Sequence, residues 1–220
     1  MNYTPDKTVI ARRIARMFQT GDVVNLGIGL PTMVGDYVPD DVDILLQSEN
    51  GFLGLGPAPA KGEEIPFLIN AGAQPVTLKS GGCYFDSAAS FGIIRGGHVD
   101  YTVLGVLQVD QEGNLANYKI PGKMVPGMGG AMDLVVGAKT VIAATVHFDK
   151  HGKSKMFKRC SLPLTAAHQV NYLVTDVGFF KIEDNRFIMM ETFAPYTAEF
   201  VLHSTDAAVE VAPDFKVVEL

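Results

Sequence analysis

Cysteine is scarce in this chain: Cys83 and Cys160 are the only two in 220 residues. Two thiols cannot build a disulfide framework at this length, so a reducing, cytoplasmic setting is expected. The chain also lacks the uninterrupted stretch of roughly 18 apolar residues that a membrane-spanning helix needs. Its opening residues, Met1-Asn2-Tyr3-Thr4-Pro5-Asp6-Lys7, hold no apolar centre of a secretory signal. No run of Lys and Arg interrupts a net charge of −6, which speaks against a nucleic-acid partner. The full phosphate-loop pattern, a glycine five residues ahead of Gly-Lys-Ser/Thr, is absent, and with it the support for an ATPase. Metal-ligand spacings are missing too. His147 and His151 lie four apart, but Asp149-Lys150-His151-Gly152-Lys153 reads as a solvent-exposed hairpin turn.

What remains is a foldable chain, 47% hydrophobic and 19% charged. With no repeat, linker or break in composition, residues 1–220 read as one domain. Ile10, Ile14, Met17 and Phe18 recur at helical spacing, predicting a helix over 8–19 with Asp6 as its N-cap and Gly21 as its stop. Val23-Val24-Asn25-Leu26 reads as a strand, Pro31 suits the first turn of a helix, and Ile44-Leu45-Leu46-Gln47 reads as a second strand. Strand, glycine-rich turn, helix and strand begin an α/β unit with buried, largely parallel strands. Further β-rich runs cover 102–109, 140–146, 172–176, 179–182 and 186–191, and a helix with an extended tail is expected from Phe193 to about Ala208.

The glycines cluster after β-like segments, where backbone approaches ligands in open α/β folds. Asn25-Leu26-Gly27-Ile28-Gly29-Leu30-Pro31 begins like a dinucleotide-binding turn but has Thr32 where the third glycine belongs. It is open to two readings, a structural tight turn or a ligand-facing loop. Leu46-Gln47-Ser48-Glu49-Asn50-Gly51 places a carboxylate at a strand-to-turn transition. Read plainly, Glu49 is solvated and Asn50-Gly51 supplies positive φ; read functionally, the carboxylate is held at the sheet edge for proton transfer or covalent attack. Pro126-Gly127-Met128-Gly129-Gly130-Ala131-Met132-Asp133 offers unencumbered amides ahead of a helix, as an anion pocket or as a plain connector. His98 and Asp100 in Arg95-Gly96-Gly97-His98-Val99-Asp100 read as structural groups. Ser48 and Ser80 lack a nucleophile elbow, which removes a serine hydrolase. Glu63 and Glu64 are the nearest acids for a two-carboxylate glycosidase, and nothing fixes their geometry.

Taken together, these segments resemble the β subunit of 3-oxoacid-type CoA-transferases. The run Leu46-Gln47-Ser48-Glu49-Asn50-Gly51-Phe52-Leu53-Gly54 is similar to that family's catalytic segment. Asn25 to Pro31, Gly56-Pro57-Ala58-Pro59, Ile69-Asn70-Ala71-Gly72, Arg95 to Asp100, Leu115-Ala116-Asn117 and Gly129-Gly130-Ala131-Met132-Asp133 follow in the family's order. The last 40 or so residues carry little of the likeness.

The resemblance implies an open α/β fold with a mixed, largely parallel sheet and helices on both faces. It implies ping-pong transfer of CoA between an acyl-CoA and a free carboxylate, with Glu49 as the nucleophile that becomes a glutamyl-CoA thioester. Gly130 and Ala131 match the segment that would face the oxyanion, and Asn25 would supply a further polar contact. No metal or redox cofactor is called for, since CoA is a substrate. A separate α subunit would complete the pocket. Residues Ile120-Pro121-Gly122-Lys123-Met124 look more like the acetate, butyrate and acetoacetate members than the 3-oxoadipate members. A non-catalytic subunit binding CoA or a sugar phosphate is the rival from another class, disfavoured by the intact Glu49.

Overall fold

The computed structural model describes residues 3–122, 125 and 127–220. Lys123, Met124 and Pro126, which belong to two of the segments singled out above, lie outside the described residues, as do Met1 and Asn2.

Helix α1 spans Lys7–Ala15, and the Asp6 carboxylate caps it by accepting the Thr8 amide at 2.9 Å. It ends well before Gly21, which instead turns the chain at φ +95° into β1, Val23–Leu26. The segment opened by Pro31 is a 3-10 helix, Leu30–Tyr37. Next come β2 (Leu45–Ser48), β3 (Phe52–Leu55) and β4 (Leu78–Tyr84), then α2 (Ser87–Arg95). The β-rich run over 102–109 divides: β5 is Tyr101–Gly105, and β6, Gln108–Asp110, belongs to a different sheet. After β7 (Leu115–Ala116) follow α3 (Ala131–Gly137), β8 (Thr140–Ala144), β9 (Met156–Phe157) and β10 (Tyr172–Val174). The chain closes with β11 (Gly178–Glu183), β12 (Arg186–Phe193), α4 (Ala198–Leu202) and β13 (Val209–Val218). The helix expected from Phe193 to Ala208 is therefore only the short α4, and the extended tail is a ten-residue edge strand.

One ten-stranded sheet takes its strands in the order β13-β12-β11-β10-β8-β5-β1-β2-β3-β4. Its middle, β2, β1, β5, β8 and β10, is parallel, and antiparallel hairpins flank it on both sides. Side chains alternate between two cores. Val141 and Ala143 join Ile94 of α2, Leu134 of α3 and Val201 of α4 on one face. Ile142 and Ala144 join Ile10 and Ile14 of α1 and Val34 of the 3-10 helix on the other. Burial on both faces is why these parallel strands read as continuous apolar runs. The architecture is the mixed, largely parallel α/β sheet, helix-covered on both faces, that the resemblance implied.

The histidine just ahead of the expected hairpin turn belongs to this core. Asp149 to Lys153 do form an exposed turn, but His147 is 0% exposed. Its Nδ1 lies 3.1 Å from Thr175 Oγ1 and its Nε2 2.9 Å from Ser204 Oγ, which hold the ring in place. The His147 amide donates to Asp176 Oδ1 at 2.7 Å, and Tyr3 donates to Asp176 Oδ2 at 2.7 Å. Burial lowers the His147 pKa from 6.5 to about 4. Between those values the unfolded chain takes up a proton that the folded chain refuses. The histidine's contribution is thus fully present above pH 6.5 and is lost as pH falls toward 4. Burial raises the Asp176 pKa above its ordinary 3.8, a shift that acts in the opposite sense. From pH 7 to pH 5 the wild-type protein should lose about 2 kcal/mol of stability through His147. His147→Gln should flatten that slope in a thermal-melt series, whatever it does to the absolute Tm.

Candidate active site

The carboxyl ends of β1, β2 and β5 open into a cleft of about 1410 Å³ lined by Gly27, Ile28, Glu49, Gly72, Asn117 and Gly130 among others. In open α/β sheets this edge is where ligands bind. Glu49 follows directly on β2, half-buried, and the turn behind it leaves little freedom. Gly51 stands at φ +122°, and a Cβ there would run into the Phe85 carbonyl, so no other residue fits. Asn50 itself is not in a left-handed conformation. It accepts the Ser48 hydroxyl at 2.6 Å and donates Nδ2 to the Ile69 carbonyl at 2.7 Å.

The glycine-rich segment closes on this carboxylate from 81 residues away, the Gly130 N–H donating to Glu49 Oε1 at 3.0 Å. Gly130 has ordinary dihedrals, φ −83° and ψ 8°, so its reason for lacking a side chain is space. A Cβ there would lie 3.0 Å from both Cδ and Oε2 of Glu49. Ala131 lies beside it at the start of α3, but its amide is committed to the Met128 carbonyl at 3.0 Å. Of the two amides expected to face an oxyanion, Gly130 is the one aimed at Glu49.

Asn25 is buried, and its carboxamide nitrogen donates to Gln47 Oε1 at 2.7 Å and to the Gln47 carbonyl at 3.3 Å. Gln47 Nε2 donates to Ser90 Oγ at 3.0 Å, and Ser90 Oγ reaches back to the Ser48 carbonyl at 3.4 Å. Asn25 therefore ties β1 to β2 behind Glu49, at the inner wall of the cleft. Gln47 and Ser90 were not singled out from the sequence. A glutamine closing an otherwise apolar strand was a visible signal, whereas nothing local marked Ser90. The segment from Arg95 to Asp100 plays no part here: Asp100 accepts the Val23 amide at 2.8 Å and pairs with Lys139 at 2.7 Å, and Arg95 pairs with Asp133 at 2.7 Å. Among the described residues no group of His, Cys, Asp and Glu could hold a metal, and no helix is long and apolar enough to cross a membrane.

A carboxylate at a parallel-sheet edge, contacted by an amide of a glycine-rich turn, suits acyl chemistry, and the family model for Coenzyme A transferase matches residues 7–197. The chain belongs to the coenzyme A transferase family. The acetate CoA-transferase subunit beta of Haemophilus influenzae is 54% identical over 217 residues, 97% of this chain and 96% of that one. The mitochondrial succinyl-CoA:3-ketoacid coenzyme A transferase 2B of Mus musculus is 42% identical across 96% of this chain, which spans only 41% of the mouse protein. An acyl-CoA transferase from Escherichia coli O157:H7 shares the fold with a TM-score of 0.76 at 20% identity, over 99% of this chain and 44% of that one. This is an enzyme chain of the CoA-transferase type, and the fold expected from the family resemblance is the fold observed.

Proposed function

We propose that this chain transfers CoA between a short-chain acyl-CoA and a free carboxylate of the acetate, butyrate or acetoacetate kind, through a glutamyl-CoA thioester on Glu49. The observation that carries the reading is the Gly130 N–H at 3.0 Å from Glu49 Oε1 in the cleft. The Glu49 carboxylate attacks the acyl-CoA carbonyl, expelling CoA thiolate and leaving a mixed acyl-glutamyl anhydride. The thiolate then attacks the Glu49 carbonyl, forming the thioester and releasing the first acid. A second carboxylate attacks that thioester, and the freed thiolate takes its acyl group, restoring Glu49. Attack at the Glu49 carbonyl puts negative charge on an oxygen that the Gly130 amide already contacts, and one such donor is worth about 3 kcal/mol. Asn25, Gln47 and Ser90 hold the strand that presents the nucleophile. The cycle is balanced without a cofactor, CoA being passed as substrate.

A companion subunit of the α type completes the enzyme, since an anhydride at an open sheet edge would hydrolyse unless water is excluded. The names of the relatives, as subunits or as chains more than twice as long, support this. Cys83 and Cys160 are both free, and Cys83 is exposed, in keeping with a reducing cytoplasm. With the α-type subunit present, acetyl-CoA and butyrate should turn over at least about tenfold faster, in kcat/KM, than succinyl-CoA and 3-oxoadipate, a difference of about 1.4 kcal/mol. The reverse order would assign 3-oxoadipate transfer, and CoA binding without turnover of either pair would leave a non-catalytic subunit.

A further inference from the structure

A second concavity, of about 870 Å³, lies between β9 with the turn ahead of it and the segment linking α4 to β13. It shares no lining residue with the cleft that holds Glu49. One wall is unusually basic for this chain. Lys150, Lys153, Lys155, Lys158 and Arg159 fall within ten residues that hold no Asp or Glu, in a chain of net charge −6. Among the described residues the ion pairs are made by other cations, and none of these five is paired. Lys155 turns inward to Thr145 Oγ1 at 3.0 Å, but Lys153, Lys158 and Arg159 are exposed and line the concavity.

The nearby acids do not answer these charges. Asp149 Oδ1 is spent on the amides of His151 and Lys153, at 2.8 and 2.9 Å. Glu112 and Asp206 are the carboxylates of the lining; Glu112 accepts Asn114 Nδ2 at 3.3 Å, and neither pairs with a cation. The walls are also fixed. The Phe157 carbonyl accepts the Gln111 amide at 3.1 Å, and the Cys160 amide donates to the buried Asp110 at 2.8 Å, so Lys158 and Arg159 stand between two tethered residues. Opposite them, Thr205 Oγ1 donates to the Met156 carbonyl at 2.8 Å, and His203 Nδ1 donates to the Glu199 carbonyl at 2.7 Å, leaving Nε2 for a further contact. Like charges gathered around a rigid hollow repel one another and focus a positive field inside it. An anion in the hollow relieves both.

We infer that this concavity is a second binding site, for a small phosphate-bearing anion of nucleotide size. Small-molecule sites run from roughly 300 to 1,000 Å³, which this one fits. Arg159 offers a planar fork matched to phosphate oxygens, with Lys153 and Lys158 as point charges beside it. Half-buried Phe157 supplies an aromatic face for a base. A polynucleotide fits worse, because the positive charge is confined to a hollow in a chain of net charge −6. The site stands apart from the transfer chemistry at Glu49, and neither reading depends on the other.

The test is calorimetric titration of ADP, and separately of pyrophosphate, into the enzyme assembled with its α-type subunit, at low ionic strength. Both probes should bind saturably. The combined Lys153→Gln, Lys158→Gln and Arg159→Gln variant should weaken ADP by at least about thirtyfold, and Lys61→Gln, an exposed cation elsewhere, by no more than about twofold. Since the three cations are exposed and unpaired, the combined variant should keep the wild-type Tm and its CoA transfer. Hydrogen exchange with ADP present should slow over residues 152–160 and 203–206. Equal ADP affinity in the combined variant overturns the inference, because the nucleotide then sits elsewhere, as does slowed exchange confined to residues 47–50 and 127–131. The absence of saturable binding overturns it too. So does ADP binding by the isolated chain that the α-type subunit abolishes, which would make this wall an interface, or a short RNA that binds more tightly than ADP.

Discussion

Glu49→Gln should lower CoA transfer by at least about 10⁴-fold while the pair of subunits still assembles and melts near the wild-type temperature. The amide keeps the size of the carboxylate and can still accept the Gly130 N–H, which lies 3.0 Å from Oε1 in the wild type. What it loses is the nucleophile. Among the described residues that line the cleft, the other carboxylates are Asp36, Asp40, Asp43 and Glu64, none of which follows a strand under the glycine-rich turn. Covalent catalysis has no substitute, and a loss of about 10⁴ corresponds to about 5 kcal/mol of barrier. The check is kcat and KM for the assembled enzyme. More than a tenth of the wild-type kcat would remove Glu49 from the mechanism, whereas an intact KM with a collapsed kcat is the expected pattern.

Gly130→Ala should cost about 10²-fold in transfer with little change in Tm, and Gly130→Val more. Most glycine substitutions confuse chemistry with backbone strain. Gly129, at φ +50°, is such a case. Gly130 is free of that problem, because φ −83° and ψ 8° suit any residue. Its added methyl would lie 3.0 Å from the Glu49 carboxyl carbon, so the carboxylate must move by a few tenths of an ångström off its position. Pre-steady-state measurement of acyl release and of thioester formation separates the two half-reactions, both of which should slow. A large fall in Tm with unchanged rates in the surviving folded fraction would make the turn a mere connector.

Much of this was legible in the sequence where burial leaves a run. β1, β2, β8 and β10 to β12 are short apolar stretches because both faces of the sheet are covered. Asp6 as N-cap followed from local chemistry alone. β4 was not legible, since Ser80-Gly81-Gly82 supplies no β-branched or aromatic residue, and an exposed edge places no apolar demand on it. β13 was hidden for a related reason, with Pro213 and its charges interrupting the alternation. The split between β5 and β6 could not be seen either, because Val106-Leu107 continues the β-rich pattern while the chain changes sheets. Asp86, which caps α2 by accepting the Ala89 amide, is a local signal of the same kind as Asp6. The site divides in the same way. Glu49 at a strand end was visible, but its contact with an amide 81 residues away is a product of topology. Asn25 is placed at the site by the chain's order, yet its amide turns inward to Gln47 because a buried donor in a strand must find an acceptor.

The most direct test of the Glu49 intermediate is chemical trapping. The assembled enzyme is incubated with acyl-CoA and no acceptor acid, reduced with borohydride and digested, and the peptides are weighed. A thioester at Glu49 should be reduced to the alcohol, so the peptide spanning Ser48-Glu49-Asn50 should lose one oxygen, gain two hydrogens and account for the lost activity. An excess of acceptor acid added before reduction should prevent the change. A modification on any other residue, or full inactivation with Glu49 unaltered, would contradict a covalent glutamyl-CoA intermediate.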